Sequence, residues 1–516
     1  MRRSIDGTFS VTAGRMRPGD RYRYLLDDDG PFPDPWSRWQ PEGVHGPSAV
    51  LPSRTGRVTH LAVRRASAQA SYELHVGTFT EAGTYRAAAR RFPELRRLGV
   101  DTVQVMPLAE FPGQRNWGYD GAYLYAPART YGDPPALSRM VGAAHRLGLS
   151  IILDAVFNHL GPDGAYIHRF APQFFDRSRR TPWGGAIDYS LPHVRRMVAD
   201  CARWWIEQYG FDGFRLDAVN SIVDSAPRHV LAEIRASARR GFRNAYFVVE
   251  DSRNHAPVLT RDRMDAVLSE DFSLCLRTRL AGERRTYLGD FAGSLDEVAT
   301  AICNGWIRGA ASTAGLRADR FVFFIENHDQ VGHRTDGRRL AALLPPAQYR
   351  VLSTLLLLVP ERVMVFMGQE FAAASRFHFF TDHEPALGKR VFVGRRRELG
   401  RDVPDPQQLA TYAASKLPPL APGNRCFRLY RDLFQLRNHD RVLRKPDRDA
   451  TRSWSEGNVL YLERRRGSET RLLALTFEGD SAAVPNGRVI FHTERRRYGG
   501  AGRLELARPA AVLVAG

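Results

Sequence analysis

The sequence predicts an α/β protein built around a (β/α)8 barrel, with a short N-terminal β module and a C-terminal antiparallel β-sandwich. Eight short apolar segments with strand character occur between residues 71 and 367, and helical segments separate most of them. This alternation is typical of a parallel sheet, and eight strands match a closed barrel. The 516 residues exceed one ordinary domain, so we expect units at 1–70, 71–440 and 441–516.

Residues 1–70 are predicted to form a small β module. "GTFSVT" and "RYRYLLDDDG" are rich in β-forming residues and are bounded by turn residues, whereas "PFPDPWSRWQPEGVHGPS" is a proline-rich connection. Two strands are too few for an independent sandwich. We therefore expect either a truncated domain with an upstream piece missing or a patch that rests on its neighbour.

The barrel prediction depends on the order of segments from Ser71 onward. The helical stretch "TYRAAARRFPELRRLG" ends at a glycine and leads into the next strand. The eight predicted strands are "YELHV", "TVQVM", "SIILDAV", "GFRLDAV", "YFVVED", "AVLSED", "FVFFIE" and "VMVFM". The last barrel helix is expected near "FRLYRDLFQLRN".

The C-terminal unit returns to strand patterns from about Val442. Its apolar segments are "NVLYLERRR", "TRLLALTFEGD", "GRVIFHTE" and "RPAAVLVAG". They predict an antiparallel sandwich of about 75 residues, which is near the lower end of domain size.

Composition and charge exclude several classes of protein. Hydrophobic residues make up 43% and charged residues 25%, which supports a large core and excludes wholesale disorder. The net charge is +19, but the arginines occur in scattered short clusters among 56 acidic residues. The sequence contains no nucleic-acid motif, so we expect a solvated basic surface and no nucleic-acid partner.

Targeting and cysteine patterns indicate a soluble cytoplasmic protein. "MRRSIDGTFSV" lacks an apolar signal core, and "VLSTLLLLVP" is too short to span a bilayer, so we expect no membrane partner. Zinc and a disulfide framework are disfavoured because the cysteines form no CxxC pair. These cysteines are Cys201, Cys275, Cys303 and Cys426.

Polar residues follow the third, fourth, fifth and seventh predicted strands. In chain order they are Asp154, Asn158 and His159, then Arg215 and Asp217, then Glu250 and Asp251, and finally Asn327, His328 and Asp329. Because all strands of a parallel barrel end at one rim, we expect three carboxylates to meet there beside histidines and an arginine. "RLD" or "NHD" alone is more often a salt bridge or a loop cap. Their joint occurrence at successive strand ends favours a catalytic site.

Arg215 and Asp217 have the spacing of a positioned nucleophile. Residues two apart in a strand point to the same side, and a nearby arginine favours the ionised carboxylate. Glu250 follows a very apolar strand, so we expect its pKa to be raised, as a general acid requires. Carboxyl groups about 5–5.5 Å apart give a retaining glycosidase, and about 6.5–9.5 Å an inverting one. Asp329 then supports the cationic transition state, and neutral histidines bind sugar hydroxyls.

Two further acidic residues near this site are expected to have supporting roles. Asp251 is expected to be a neighbour of the acid, although the sequence alone does not separate it from Glu250. Asp154 is expected to be structural and to orient its loop or Arg215.

Two aromatic residues have two interpretations each. Tyr119, in "NWGYDGAYLYAP", lies flat under a sugar ring or forms a core pair with Trp117. Trp183, in "TPWGGAIDYS", lines the groove or pins its own loop.

"DAVFNH", "GFRLDAVNS", "VVED" and "ENHDQ" match, in order, four signature regions of a known superfamily. Through them the sequence resembles the α-amylase superfamily of glycoside hydrolases. Within it, "YELHVGTFT", "NHLGPDGAY", "MGQEF" and "FFTDHEPAL" resemble the malto-oligosyltrehalose trehalohydrolase family. The resemblance covers nearly the whole chain.

The resemblance implies a specific activity and specific roles. It implies Asp217 as the nucleophile, Glu250 as the general acid/base and Asp329 as the transition-state stabiliser. The substrate-contacting residues that it implies are Tyr119, His159, Arg215 and His328. The implied substrate is a malto-oligosaccharide with a trehalose end, cleaved at the adjacent α-1,4 bond to release trehalose, without a metal or other cofactor. It also makes residues 1–70 a shortened carbohydrate-binding-like module.

The sequence departs from the family pattern in "DAVLSEDFSLCLR" and "ENHDQVGHR". The altered positions are Val267, Leu268, Ser273, Leu274, Glu326 and His333. They bear on substrate choice, so a glucan branching enzyme, or another α-amylase-superfamily enzyme acting on α-1,4-glucans, is an alternative. A barrel that only binds glucan and a nucleic-acid-binding protein are the alternatives from other classes.

Overall fold

A closed eight-stranded barrel forms the centre of the chain. In chain order its strands are β1 (Ala70–Leu74), β2 (Thr102–Val105), β3 (Ser150–Ala155), β4 (Gly213–Leu216), β5 (Tyr246–Glu250), β6 (Ala266–Leu268), β7 (Phe321–Phe323) and β8 (Arg362–Phe366). Each strand pairs in parallel with the next, and β8 pairs with β1. The predicted (β/α)8 barrel is confirmed. The computed structural model describes residues 1–5, 7–51, 59–61, 70–181, 184–283, 291–309 and 312–516.

Alternation of side chains along the strands creates an inner and an outer layer. Ile151 and Leu153 of β3 pack outward into the main hydrophobic cluster, whereas Ile152 joins a separate cluster inside the barrel. Asp154 is two residues beyond Ile152, and its register partner on β4 is Arg215. The charged pair therefore lies above the apolar interior, at the rim where the strands end.

The helices that cover the barrel begin and end at residues typical of helix caps. The Thr84 side chain accepts a hydrogen bond from the Ala87 amide at the start of one helix, and Gly99 ends that helix with a φ of 113°. Within the described residues, no helix is long and apolar enough to cross a membrane. The longer helices are Tyr85–Leu98, Pro134–Arg146, Pro192–Tyr209, Val230–Gly241, Glu270–Ala281, Leu295–Asn304, Pro346–Leu358, Pro385–Leu399 and Arg425–His439.

Short helices and helical turns lie in the connections. The α-helical ones are Val76–Phe79, Ile167–Phe170, Pro257–Thr260, His328–Gly332, Leu340–Leu343 and Leu409–Ala414. The 3-10 turns are Arg129–Tyr131, Pro172–Phe174, Val219–Ser221, Ala318–Arg320, Gln369–Phe371 and Arg496–Tyr498. Two hairpins also extend from the loops, namely Ala109–Glu110 with Tyr123–Pro127 and Phe175–Thr181 with Gly184–Ile187.

The segment before the barrel contains short antiparallel strand pairs. These are Arg2–Arg3 with Phe9–Ser10, Arg21–Tyr22 with Ser48–Ala49, and Tyr24–Leu26 with Asp29–Phe32. Contacts join this segment to the barrel loops: the Tyr123 hydroxyl donates to the Val44 carbonyl at 2.7 Å, and the His45 Nδ1 atom lies 2.9 Å from the Tyr166 hydroxyl. The segment therefore rests on the loop that follows β3 and on the hairpin strand Tyr123–Pro127.

The C-terminal unit is one five-stranded antiparallel sheet. Its strands are β9 (Thr451–Glu456), β10 (Val459–Arg466), β11 (Glu469–Thr476), β12 (Arg488–His492) and β13 (Ala510–Ala515), in the spatial order β9-β10-β11-β13-β12. Leu462, Leu473 and Leu513 join the main hydrophobic cluster. Helix Pro346–Leu358 packs on β11 and β13. The sheet thus packs against a barrel helix, and β9 adds a strand that the sequence analysis did not identify.

Gly213 begins β4 and lies close to the backbone of β5. A Cβ atom at this position would lie 2.0 Å from the Tyr246 backbone oxygen. We therefore expect Gly213→Ala to force β4 away from β5, to destabilise the protein by roughly 1–3 kcal/mol and to lower its melting temperature in a circular-dichroism melt.

Gly142→Ala is the matched control for this change. Gly142 lies within helix Pro134–Arg146, and its nearest potential contact is the Arg146 Nη1 atom at 3.4 Å. Because alanine favours helix more than glycine does, we expect an unchanged or higher melting temperature. Equal melting temperatures for the two variants would contradict the close approach of β4 and β5.

Candidate active site

Arg215 is a buried cation that binds three carboxyl groups at the barrel rim. Its side chain is 1% exposed. The Nη1 atom lies 2.9 Å from both carboxyl oxygens of Asp154 and 2.6 Å from Oδ1 of Asp217. The Nη2 atom lies 2.8 Å from Oε1 of Glu250. Three side chains from β3, the end of β4 and β5 therefore converge on one guanidinium.

Asp217 and Glu250 occupy equivalent heights on neighbouring strands. Leu216 of β4 is the register partner of Val249 of β5, and the two acidic residues follow directly. Adjacent strands lie about 4.7–4.9 Å apart, and both carboxyl groups bind nitrogens of one planar guanidinium. They therefore face the same compartment at the barrel rim.

Both carboxyl groups are also held from their other sides. The Asn158 amide donates to Oδ2 of Asp217 at 2.8 Å, and the Ala218 backbone N–H donates to Oε2 of Glu250 at 2.9 Å. Ala218 has a φ of 39°, a left-handed conformation that is unfavourable for alanine. This strained residue aims its amide at Glu250, so the two carboxyl groups are fixed before any substrate binds.

Tyr119 and His328 extend this network towards β1. The Tyr119 hydroxyl donates to Oδ2 of Asp154 at 2.8 Å and lies 2.8 Å from Nε2 of His328. The two rings stack with centroids 5.1 Å apart. Nδ1 of His328 lies 2.8 Å from Oε1 of Glu73 on β1. His159 lies on the other side of Tyr119, with Nε2 2.8 Å from its backbone carbonyl.

Glu73 favours the protonated form of His328. Burial by itself lowers the pKa of His328, but Glu73 outweighs burial and the pKa is raised. Each ring nitrogen has an oxygen partner, namely the Tyr119 hydroxyl at Nε2 and the Glu73 carboxyl group at Nδ1. The shift of His328 thus runs in the direction opposite to the expectation of neutral histidines, whereas burial lowers the pKa of His159.

The carboxyl groups around Arg215 differ in their affinity for protons. Burial raises the pKa of Glu250 to about 8; Arg215 opposes this rise, and the negative charge of Asp217 adds to it. Burial likewise raises the pKa of Asp154 to about 6 against the effect of Arg215. The raised pKa of Glu250 has the direction that the sequence analysis expected of a general acid.

Asp329 lies at the same rim but outside the Arg215 cluster. It is the second residue of helix His328–Gly332, and its Oδ1 atom pairs with Nδ1 of His333 at 3.0 Å. Burial by itself raises the pKa of Asp329, but His333, His328 and Arg215 outweigh burial and hold this pKa below its usual range. The negative charge of Asp329 in turn raises the pKa of Glu250.

The structure distinguishes the alternatives that the sequence left open for Asp251 and Trp117. Asp251 binds Arg253 at 2.8 and 2.7 Å, so Glu250 is the member of this pair that faces the site. Trp117 is a buried core residue that stacks on Phe377 with centroids 5.3 Å apart. Trp183 lies outside the described residues.

Comparison with known proteins shows which family the chain belongs to. Residues 65–181 match the family model described as Alpha amylase, catalytic domain. The malto-oligosyltrehalose trehalohydrolase of Deinococcus radiodurans is 39% identical, over 93% of this chain and 84% of its own length. The enzyme of the same name from Mycobacterium tuberculosis is 36% identical, over 94% and 90%. The chain belongs to the malto-oligosyltrehalose trehalohydrolase family.

Membership of this family makes the chain an α-amylase-type glycosidase that acts on an oligosaccharide. A crystal structure described as a putative alpha amylase from Salmonella typhimurium is similar as well, with 34% identity and a TM-score of 0.90. That similarity covers 97% of this chain and 91% of the crystallised one. Within the described residues, no group of three or more metal-binding side chains is arranged to hold a metal ion.

Two acidic residues of this trehalohydrolase-family site were missed by the sequence analysis. Glu73 contacts Nδ1 of His328 through Oε1. The sequence feature that could have indicated this role is a carboxylate inside the otherwise apolar strand "SYELHV". Glu270 begins the helix after β6, and among the described residues its carboxyl group has no hydrogen-bond or ion-pair partner. Burial, followed by the charge of Asp329, raises the pKa of Glu270 to about 7.

Asp271, next to Glu270, has a different role. Its carboxyl group accepts hydrogen bonds from the Asn254 side chain at 3.1 Å and from the backbone amides of Ile307 and Arg308 at 2.6 and 2.9 Å. Asp271 is therefore a structural residue that fixes the loop after helix Leu295–Asn304, whereas Glu270 contributes charge to the site.

Arg215→Lys tests the importance of the guanidinium geometry. Lysine keeps a positive charge but lacks the planar fork that binds Asp217 and Glu250 together. Because small displacements of reacting groups are costly, we expect kcat to fall about 100-fold or more. Initial rates, with a thermal melt to verify folding, measure the effect. A rate within a few-fold of the parent enzyme would contradict the central role of the fork.

Glu270→Gln tests the influence of the fourth carboxyl group on Glu250. A general acid must hold its proton, so we expect kcat/KM to fall as the pH rises through about 8, the pKa of Glu250. The Glu270 charge raises that pKa. Removing it should therefore move the alkaline fall to lower pH by about 0.5–1 unit.

Glu505→Gln is the control for this pH profile. Glu505 is an exposed residue of the C-terminal unit, and its substitution makes the same change in net charge. We expect its profile to match that of the parent enzyme. An equal shift in both variants, or no shift for Glu270→Gln, would show that Glu270 does not act on Glu250.

Proposed function

We propose that this chain hydrolyses the α-1,4 bond next to the terminal trehalose unit of a malto-oligosaccharide, with retention of configuration, and releases trehalose. The observation that carries the proposal is the pair Asp217 and Glu250 on the buried Arg215. The two relatives named malto-oligosyltrehalose trehalohydrolase support the choice of bond.

In the first step Asp217 acts as the nucleophile and Glu250 as the acid. The Asp217 carboxylate attacks the anomeric carbon, and Glu250 gives its proton to the oxygen that leaves with trehalose. The carbon–oxygen bond to trehalose breaks as a glycosyl ester forms on Asp217. Arg215 and Asn158 hold the attacking carboxylate, which reduces the reorganisation needed to reach the transition state.

In the second step Glu250 acts as the base. Water attacks the anomeric carbon of the glycosyl ester, Glu250 accepts a proton from that water, and Asp217 leaves as a carboxylate. The malto-oligosaccharide departs with a new α-configured reducing end. A pKa of about 8 suits a group that must both give and take a proton near neutral pH.

The other proposed residues surround the sugar at the cleavage point. We assign Asp329 to stabilise the positive charge of the transition state, because its carboxylate lies at the same rim and remains ionised. We assign Tyr119, His159, Arg215 and His328 to substrate contact. His328 covers one face of the Tyr119 ring and binds its hydroxyl, so these side chains present fixed polar groups to the sugar.

Product analysis on a matched pair of glucans tests the proposed bond. Trehalose-capped maltotetraose should yield free trehalose and maltotetraose by chromatography, whereas an uncapped chain with the same number of glucose units should be cleaved slowly. Equal cleavage of both would indicate a general glucan hydrolase. Changed iodine staining of amylose without release of trehalose would favour the branching alternative.

Substitution of the catalytic pair tests the proposed roles. We expect Asp217→Asn and Glu250→Gln each to lower kcat by about 1,000-fold or more, because each removes an obligatory reacting group. Asp251→Asn is the control, since Asp251 adjoins Glu250 but binds Arg253, and we expect it to retain most activity. Early proton NMR spectra should show the α anomer of the product. Initial appearance of the β anomer would contradict retention.

A further inference from the structure

His333 pairs with Asp329 from one turn further along the chain. Nδ1 of His333 lies 3.0 Å from Oδ1 of Asp329 and 2.9 Å from its backbone carbonyl oxygen. Residues four apart on a helix face each other, and His333 directly follows helix His328–Gly332. Among the described residues, His333 is the one side chain that forms an ion pair with Asp329.

The His333 side chain is 37% exposed, and its ring packs against Trp117. The edge of the ring contacts Trp117, with centroids 5.9 Å apart, and Trp117 donates from Nε1 to the His378 carbonyl at 2.8 Å. Arg395, from helix Pro385–Leu399, donates to the Gly332 carbonyl at 2.8 Å and adds a positive charge nearby. The ring is thus placed to orient Asp329.

The charges around this pair favour two ions near neutral pH. Burial and Arg395 lower the pKa of His333, but Asp329 outweighs both and raises it above its usual value. Desolvation raises the pKa of Asp329, whose side chain is nevertheless 44% exposed, but His333, His328 and Arg215 outweigh it and keep this pKa low. The ion pair is therefore complete below the usual histidine pKa, about 6.5, and is lost as the pH rises through the raised pKa of His333.

Asp329 differs in this respect from the other two acidic residues of the site. Asp217 and Glu250 are both bound by Arg215, which stays charged at every physiological pH. Asp329 is held by a histidine, whose charge changes within that range. One of the three carboxyl groups is thus positioned by a titrating partner.

We propose that His333 is a positioning residue that fixes the Asp329 carboxylate at the barrel rim, and that this hold weakens as the pH rises. The catalytic consequence rests on the proposed function, in which Asp329 stabilises the transition state. The ion pair itself is independent of that function, so it is testable without substrate.

The first experiment compares the parent enzyme with His333→Asn across pH 5.5 to 9. Asparagine retains an N–H donor near the position of Nδ1 but has no charge. We expect kcat of the variant to be lower by about 10-fold at pH 5.5 and to approach the parent value above pH 8, with little change in KM. In an Asp329→Asn background, His333→Asn should have no further effect.

His439→Asn is the matched control. His439 ends helix Arg425–His439, and its Nδ1 atom lies 3.1 Å from the Gln435 carbonyl four residues earlier. In the part of the chain that the structure describes, His439 forms no ion pair with an acidic residue. It reproduces the helix-end contact of His333 outside the site, so we expect an unchanged kcat at every pH. A loss of activity in His333→Asn that is equal at all pH values would overturn the proposal in favour of a purely structural role.

The second experiment measures the ion pair by NMR titration of the histidine ring protons in the unliganded protein. The signal of His333 is the one lost in His333→Asn. We expect Asp329→Asn to lower the pKa of His333 by about one unit or more. An unchanged pKa would overturn the proposed pair. A lowered pKa in a protein that releases no trehalose would support the pair while contradicting the proposed function.

Discussion

The buried guanidinium of Arg215 is the interaction on which the site depends. A charge removed from water is very unfavourable unless it is paired and hydrogen-bonded. Asp154, Asp217 and Glu250 provide that pairing from three successive barrel strands. The dependence is mutual, because three carboxyl groups this close would repel one another without the cation. The barrel supplies the geometry, since parallel strands bring residues distant in sequence to equal heights at one rim.

The carboxyl groups near Arg215 nevertheless differ in the pKa shifts that their surroundings produce. Burial raises the pKa of Glu250 to about 8 and that of Asp154 to about 6, although Arg215 touches both. Asp329, which lies beside His333 and farther from this cluster, has a lowered pKa. Groups with separated pKa values divide acid and anionic roles between them. Because these carboxyl groups interact, each apparent pKa in a pH–activity profile describes the whole group of residues and not one residue alone.

The barrel strands were predictable from local sequence patterns, whereas strand β9 and the packing of the C-terminal sheet were not. Gly213 to Asp217 is predictable because strand periodicity places Arg215 and Asp217 on one side, and the apolar runs identify all eight barrel strands. β9 was missed because its sequence, "TRSWSE", has little apolar character, and one of its faces packs on helix Leu295–Asn304. The sequence analysis expected a sandwich of two sheets. In the structure, a barrel helix instead packs on one face of the five-stranded C-terminal sheet. Such coverage has no local sequence pattern.

The sequence by itself predicted the barrel, the rim that carries the candidate site and the presence of Asp217, Glu250 and Asp329 at that rim, because periodicity and motif order are local properties. Only the tertiary structure decided which groups touch. It placed Glu73 against His328, which raises the pKa of that histidine, left Glu270 without a described partner, and paired Asp329 with His333. Charge states depend on burial and on distances between residues far apart in the chain, and the linear sequence contains neither.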